Sequence, residues 1–189
     1  MQLETSTFVS DAWSADSMRA ELVNANTYYL VAVRADGAVR ADGADSAAVD
    51  GYAGLLAPPG AKEADIQTIA VAESARRNGI GRGLVAALMK EAATRGASEV
   101  FLEVRADNPG AQALYRSFGF EEIAVRPRYY QPDDVDAIVM RAVGPRASRS
   151  DAATLPTGTA VRRFASCGTG GVGPAPNEPA SEGTVEDQA

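Results

Sequence analysis

Thr68-Ile69-Ala70-Val71-Ala72-Glu73-Ser74-Ala75-Arg76-Arg77-Asn78-Gly79-Ile80-Gly81-Arg82-Gly83 joins an apolar run to an amphipathic one. Upstream, Ala64–Val71 has the composition of a strand. Downstream, Ile80, Leu84, Val85, Leu88 and Met89 recur at helical spacing, which predicts a helix over Gly79–Arg95 that Gly96 stops. A glycine-rich turn between strand and helix lets the backbone approach an anion closely. The first-turn amides of such a helix have no intrahelical partner, and its dipole favours negative charge there. Arg76, Arg77 and Arg82 add charge directly. The glycine spacing is not that of a dinucleotide fold, and no Lys-Ser/Thr pair follows as in a phosphate-binding P-loop. On its own, the loop reads either as an anion site or as a tight turn without a ligand.

Working outward, strands and helices alternate. Ser14 is placed to cap a helix through about Asn24, with Met18, Leu22 and Val23 on one face and Trp13 as its staple. Tyr28–Val33 and Gly51–Ala57 read as strands, and Ala35–Asp50, with two Asp-Gly pairs, as a long flexible connection. Ser98–Val104 is a strand with Val100, Leu102 and Val104 on one face and Phe101 and Glu103 on the other. Asn108 caps a second helix that has Pro109 at its first position, a stripe of Ala111, Leu114, Tyr115 and Phe118, and Gly119 at its end. Phe120–Val125 and Val135–Ala142 close as strands. This order predicts an α/β fold: a mixed central sheet with a parallel strand pair, flanked by helices.

Composition narrows the chemistry. There is no histidine and one cysteine, Cys167, so His-dependent triads, His-ligated zinc and an internal disulfide framework are excluded. No metal site is expected. The formal charge of −7 argues against nucleic acid as the ligand, because phosphate neutralisation needs a basic face, and it suits a cationic substrate. No apolar run reaches the ~20 residues that span a bilayer, and the first residues lack a signal peptide's basic and apolar regions. The expectation is a cytoplasmic protein with no membrane partner. The sequence assigns no oligomeric state.

Composition also changes near Val143. Residues 144–189 hold five of the ten prolines and seven of the eighteen glycines, with few large apolar residues. Such a segment buries too little apolar surface to offset its ordering entropy. Two parts follow: a folded domain over 1–143 and a disordered tail over 144–189. Cys167 falls in that tail as a bystander thiol.

These residues resemble a known family. Arg77-Asn78-Gly79-Ile80-Gly81-Arg82-Gly83 is similar to the Arg/Gln-x-x-Gly-x-Gly/Ala signature of the GNAT acetyltransferases. Asn108 and Tyr115, followed by Gly119-Phe120, match a second signature of that family. The resemblance implies acetyl-CoA as acetyl donor, with Arg76–Gly83 on its pyrophosphate, Ile69-Ala70-Val71 pairing with the pantetheine arm from a splayed strand, and Asn108 and Tyr115 also touching it. Thr68–Val71, Leu102–Asn108, Arg128-Tyr129-Tyr130 with Asp136-Ala137, and Ala12-Trp13-Ser14 resemble the ribosomal-protein-alanine N-acetyltransferases within the family. That narrower likeness implies direct transfer, in a ternary complex, to the N-terminal α-amino group of a ribosomal protein or a similar peptide. Lysine side chains or small amines as acceptors, and a non-catalytic acetyl-CoA binder, stand as alternatives.

With no histidine, Glu103, at the end of a strand beside the expected cofactor channel, is the candidate base, and the resemblance implies Tyr115 as the acid toward the leaving thiolate. Read without the resemblance, Glu103 is equally a surface or pairing carboxylate, and Tyr115 a core side chain. Trp13, Tyr129 and Tyr130 are candidate walls for the substrate peptide or packing around a loop. Asp133, Asp134 and Asp136 attract a basic peptide or form a solvated turn. The family domain opens with a strand and helix ahead of the segment matching Leu3–Val9, so the first strand is expected to be missing and a sheet edge exposed.

Overall fold

The computed structural model describes residues 3–4, 12–39, 45–144 and 159–164. Ser14 accepts a hydrogen bond from the Ser17 amide and opens helix α1 (Ala15–Val23). Strands β1 (Thr27–Val39), β2 (Asp45–Leu56) and β3 (Glu63–Val71) follow, then a short 3₁₀ turn (Glu73–Ala75) and helix α2 (Ile80–Arg95). The remaining elements are β4 (Glu99–Arg105), α3 (Pro109–Arg116), β5 (Glu121–Tyr130), β6 (Val135–Val143) and β7 (Thr159–Arg163). They form one seven-stranded sheet in the order β5-β6-β4-β3-β2-β1-β7. Every neighbouring pair is antiparallel except β3 and β4, the expected parallel pair.

The helix caps act where the sequence places them. Asn108 accepts from the Ala111 amide at 3.1 Å, and Pro109 begins α3. Gly96 ends α2 with φ 97°, a left-handed conformation that glycine adopts without penalty. Leu84, Val85 and Leu88 of α2 are fully buried against Leu55, Val100 and Met140 of the sheet, so the helical stripe is the core side of α2. Arg95 fastens the end of α2 by donating to the carbonyls of Ala57 (2.9 Å) and Asn26 (3.1 Å).

Two expectations are corrected. The stretch Ala35–Asp50 is not mainly a connection: β1 and β2 stay paired out to Val39↔Asp45, with register shifts after Ala32 and Ala35. An antiparallel ribbon can extend as long as its backbones pair, and the shifts absorb residues that break the alternation. Asp36-Gly37 therefore lies within β1, and Asp42-Gly43 lies outside the described residues. The second correction concerns the tail. Thr159–Arg163 is an edge strand antiparallel to β1, from Leu30↔Arg163 to Arg34↔Thr159. The outer edge of β1 offers unpaired backbone groups, and β7 satisfies them where the sequence leads one to expect a bare edge. Val161 packs on the core, and the Arg163 guanidinium lies 5.1 Å from the centre of the Tyr28 ring. Residues 145–158 and 165–189, including Cys167, lie outside the described residues. Among the described residues, no helix is long and apolar enough to cross a membrane.

Leu88 is fully buried, so Leu88→Ala should destabilise the domain by about 2–5 kcal/mol. Urea unfolding measures this, and a loss below about 1 kcal/mol would contradict the packing described.

Candidate active site

β3 and β4 pair only from Glu63↔Glu99 to Ile66↔Leu102. Beyond that point β2 keeps β3, pairing it through Val71, while β6 keeps β4, pairing it through Arg105. The two strands therefore part, and the edge of Gln67–Val71 that faces β4 has no ladder partner. A cleft of about 610 Å³ occupies the gap. Seven of the residues singled out in the sequence line it together: Trp13, Ile69, Glu103, Asn108, Tyr115, Tyr129 and Tyr130. Ala70, Val71 and Arg76–Gly83 are not among its lining residues; they continue from the open end of β3 into α2.

The loop is shaped as an N-terminal helix cradle. Gly79, with φ 79°, is the N-cap of α2, and Arg77 is also left-handed at φ 62°. A non-glycine residue held there is uncommon and is often found at functional turns. Arg76, Arg77, Asn78 and Gly79 are exposed. Two of the arginines are partly engaged: Arg76 donates to the Val71 carbonyl at 3.3 Å, and Arg82 donates to Ser117 Oγ at 3.1 Å and lies 5.1 Å from the Phe118 ring centre. At Gly81 a Cβ would meet Leu114 and Val71 at ordinary contact distances of 3.5 and 3.8 Å.

In the cleft, Tyr115 is both a packed side chain and a lining one. Its ring packs edge-on to Phe120 with centroids 5.9 Å apart, and it is 9% exposed, yet it lines the gap. Burial pushes its hydroxyl up to about 12, so it keeps its proton at neutral pH. Glu103 lies on the face of β4 opposite the buried Val100, Leu102 and Val104. Its Oε1 is 2.8 Å from Arg126 Nη1, and the Tyr129 side chain lies beside it. Burial, then that contact with Glu103, pushes the Tyr129 hydroxyl up to about 12.

Asp65, two residues before Gln67 on β3, lines the same cleft. Desolvation, reinforced by Glu63 and Glu103, holds its carboxyl above the ordinary aspartate value. Tyr130 packs edge-on against Tyr129 at 5.2 Å, and the Arg105 guanidinium is 5.2 Å from the Tyr130 ring centre. The acidic turn residues fasten structure: Asp133 pairs with Arg105 at 3.0 Å, Asp134 accepts from Gln131 at 2.9 Å, and Asp136 accepts from the Arg128 amide at 2.8 Å.

Sequence reasoning missed Arg126 and Asp65. Arg126 meets Glu103 only because β6 lies between β5 and β4, an order that no local spacing encodes. Asp65 was legible only as one position of a strand.

Comparison with known proteins agrees with this geometry. An uncharacterized protein of Mycobacterium leprae is 41% identical over 145 residues, which are 74% of this chain but 36% of that protein. The chain thus spans about a third of that relative's length. The N-alpha-acetyltransferase RimI of Mycobacterium tuberculosis is 37% identical over 145 residues, 74% of this chain and 82% of that one. Among solved structures, the ribosomal-protein-S18-alanine N-acetyltransferase from Escherichia coli superposes with a TM-score of 0.59 at 29% identity, covering 78% of this chain and 87% of that one. The model of the Acetyltransferase (GNAT) family matches residues 2–120. With that match across more than half its length, and with the parted parallel strands, the chain belongs to the GNAT acetyltransferase family.

Proposed function

We propose that this chain transfers an acetyl group from acetyl-CoA to the N-terminal α-amino group of a protein, by direct attack in a ternary complex, as a cytoplasmic enzyme. The acceptor we favour is the N-terminal alanine of a small-subunit ribosomal protein. The observation that carries the reading is the parting of β3 and β4 beyond Ile66, which puts Gln67–Ile69, Glu103 and Tyr115 around one cleft. The likeness to an N-alpha-acetyltransferase and to a ribosomal-protein-alanine N-acetyltransferase supports the choice of acceptor.

The residues present fit acetyl-CoA. Along Ile69, Ala70 and Val71 the side of β3 turned away from β2 has no strand partner and suits an amide-bearing arm, with Arg76 reaching the Val71 carbonyl, and the amides of Ile80, Gly81 and Arg82 at the start of α2, with the charges of Arg76 and Arg77, suit a pyrophosphate. Asn108 and Tyr115 flank the same channel. When bound, acetyl-CoA supplies a thioester carbonyl open to attack by an amine and a thiolate as leaving group. An α-amino group, with a pKa of about 8, is mostly protonated at neutral pH. Glu103 takes that proton, directly or through one water, and so frees the lone pair. Tyr115 gives its hydroxyl proton to the departing sulfur, and the second proton, which the nitrogen sheds as the amide forms, restores it. Trp13, Tyr129 and Tyr130 wall the approach of the acceptor.

Free-thiol release from acetyl-CoA across an acceptor panel tests the proposal. Turnover is expected with a peptide beginning Ala-Arg and none with the same peptide blocked at its N-terminus. Turnover confined to a lysine peptide or spermidine would discard the α-amine acceptor, and silence on every acceptor would discard catalysis. Glu103→Gln and Tyr115→Phe should each lower kcat about 100-fold or more while acetyl-CoA still binds. An unchanged kcat in either variant would remove that residue's role.

Gly81→Asp has room for its Cβ, and an unliganded helix N-terminus tolerates a carboxylate. The variant should therefore fold normally yet bind acetyl-CoA about tenfold more weakly or worse. Equal affinity by titration calorimetry would undo the pyrophosphate assignment.

A further inference from the structure

The candidate base already holds a cation. Arg126 Nη1 lies 2.8 Å from Glu103 Oε1, and the same guanidinium lies 5.5 Å from the centre of the Tyr129 ring. The Tyr129 side chain lies beside that carboxylate as well. A carboxylate and an aromatic face thus hold one positive group between them, an arrangement suited to a cation in general. All three residues line the cleft. The other arginine lining it, Arg105, is drawn to Asp107 and Asp133, each at 3.0 Å, and to the Tyr130 ring.

Arg126 reaches this place from the edge strand β5. The pairing of β5 with β6 runs to Arg126↔Ala137 and resumes only at Tyr130↔Val135, so Arg126 sits where the strand leaves its ladder. Its side chain is 54% exposed, against 26% for Glu103. A half-exposed pair of this kind is weak and can exchange partners. A guanidinium is not deprotonated in proteins, so such a pair opens by movement of the side chain.

We propose that Arg126 is a resident stand-in for the acceptor's ammonium, occupying the place beside Glu103 and Tyr129 that the incoming amine must take. The inference rests on the amine-acetylating function proposed above and assigns Arg126 a specificity role within it. An acceptor arriving protonated replaces one cation by another, so Glu103 exchanges partners without being left uncompensated. A neutral acceptor would have to remove Arg126 and offer no charge in return. The stand-in therefore sets a threshold that favours cationic amines and weakens the apparent affinity for all of them.

Steady-state kinetics of Arg126→Gln with the Ala-Arg peptide test this. The acceptor KM should fall about fivefold, the change being carried by KM and not by kcat, with the acetyl-CoA KM unmoved. Arg126→Lys, which returns a cation to the same place, should restore a KM near that of the wild type. Arg126→Met, which keeps an apolar stem against Tyr129, repeats the loss of charge should Arg126→Gln fold poorly by thermal melting. An acceptor KM that stays the same or rises in a folded uncharged variant overturns the stand-in while leaving acetyl transfer intact. A wild-type protein that acetylates no amine overturns the function above, and the stand-in falls with it.

Discussion

Four register pairs, Glu63↔Glu99 to Ile66↔Leu102, are all that hold β3 to β4, and the remaining architecture follows from their ending there. Each strand is claimed on its far side by an antiparallel neighbour that continues, β2 out to Val71 and β6 out to Arg105. A buried backbone without partners is costly, so such a gap persists in a folded domain only where solvent or a ligand can enter it. Helices α2 and α3 start at the two sides of this gap. One brings the glycine-rich loop to the end of β3, and the other brings Asn108 and Tyr115 to β4. The sheet therefore presents open main chain beside two proton-transfer candidates, and a helix N-terminus follows the end of β3.

A chain without histidine must do acid–base work with groups whose ordinary pKa values lie far from neutrality, so the surroundings of the two proposed residues matter. Burial holds the Tyr115 proton in place, as a donor requires. Glu103 has a different setting: it is partly exposed, with the Arg126 guanidinium 2.8 Å away and Tyr129 beside it. The arginine and the tyrosine beside it come from one short segment of β5, so the proposed base is flanked by an element outside the parallel pair.

What was legible in the sequence was local. The caps at Ser14 and Asn108, the stop at Gly96 and the buried stripe of α2 depend on residues within a few positions of each other, and they stand as read. The two faces of Ser98–Val104 likewise follow from strand alternation. The Glu103–Arg126 pair was not legible, because it depends on β6 inserting between β5 and β4. Nor was β7: Thr159–Arg163 has no apolar period, and what orders it is the unpaired edge of β1, more than 120 residues earlier in the chain. Expectations of loop and disorder failed where a distant backbone supplied the missing hydrogen bonds.

The claim on which the account turns is that the parted edge of β3 receives the arm of acetyl-CoA. Hydrogen–deuterium exchange with and without saturating acetyl-CoA measures this at the backbone. The account predicts slowed exchange within Gln67–Val71 and across Ile80–Gly83, with β1 unchanged. Saturable binding that leaves Gln67–Val71 exchanging at its free rate would contradict it.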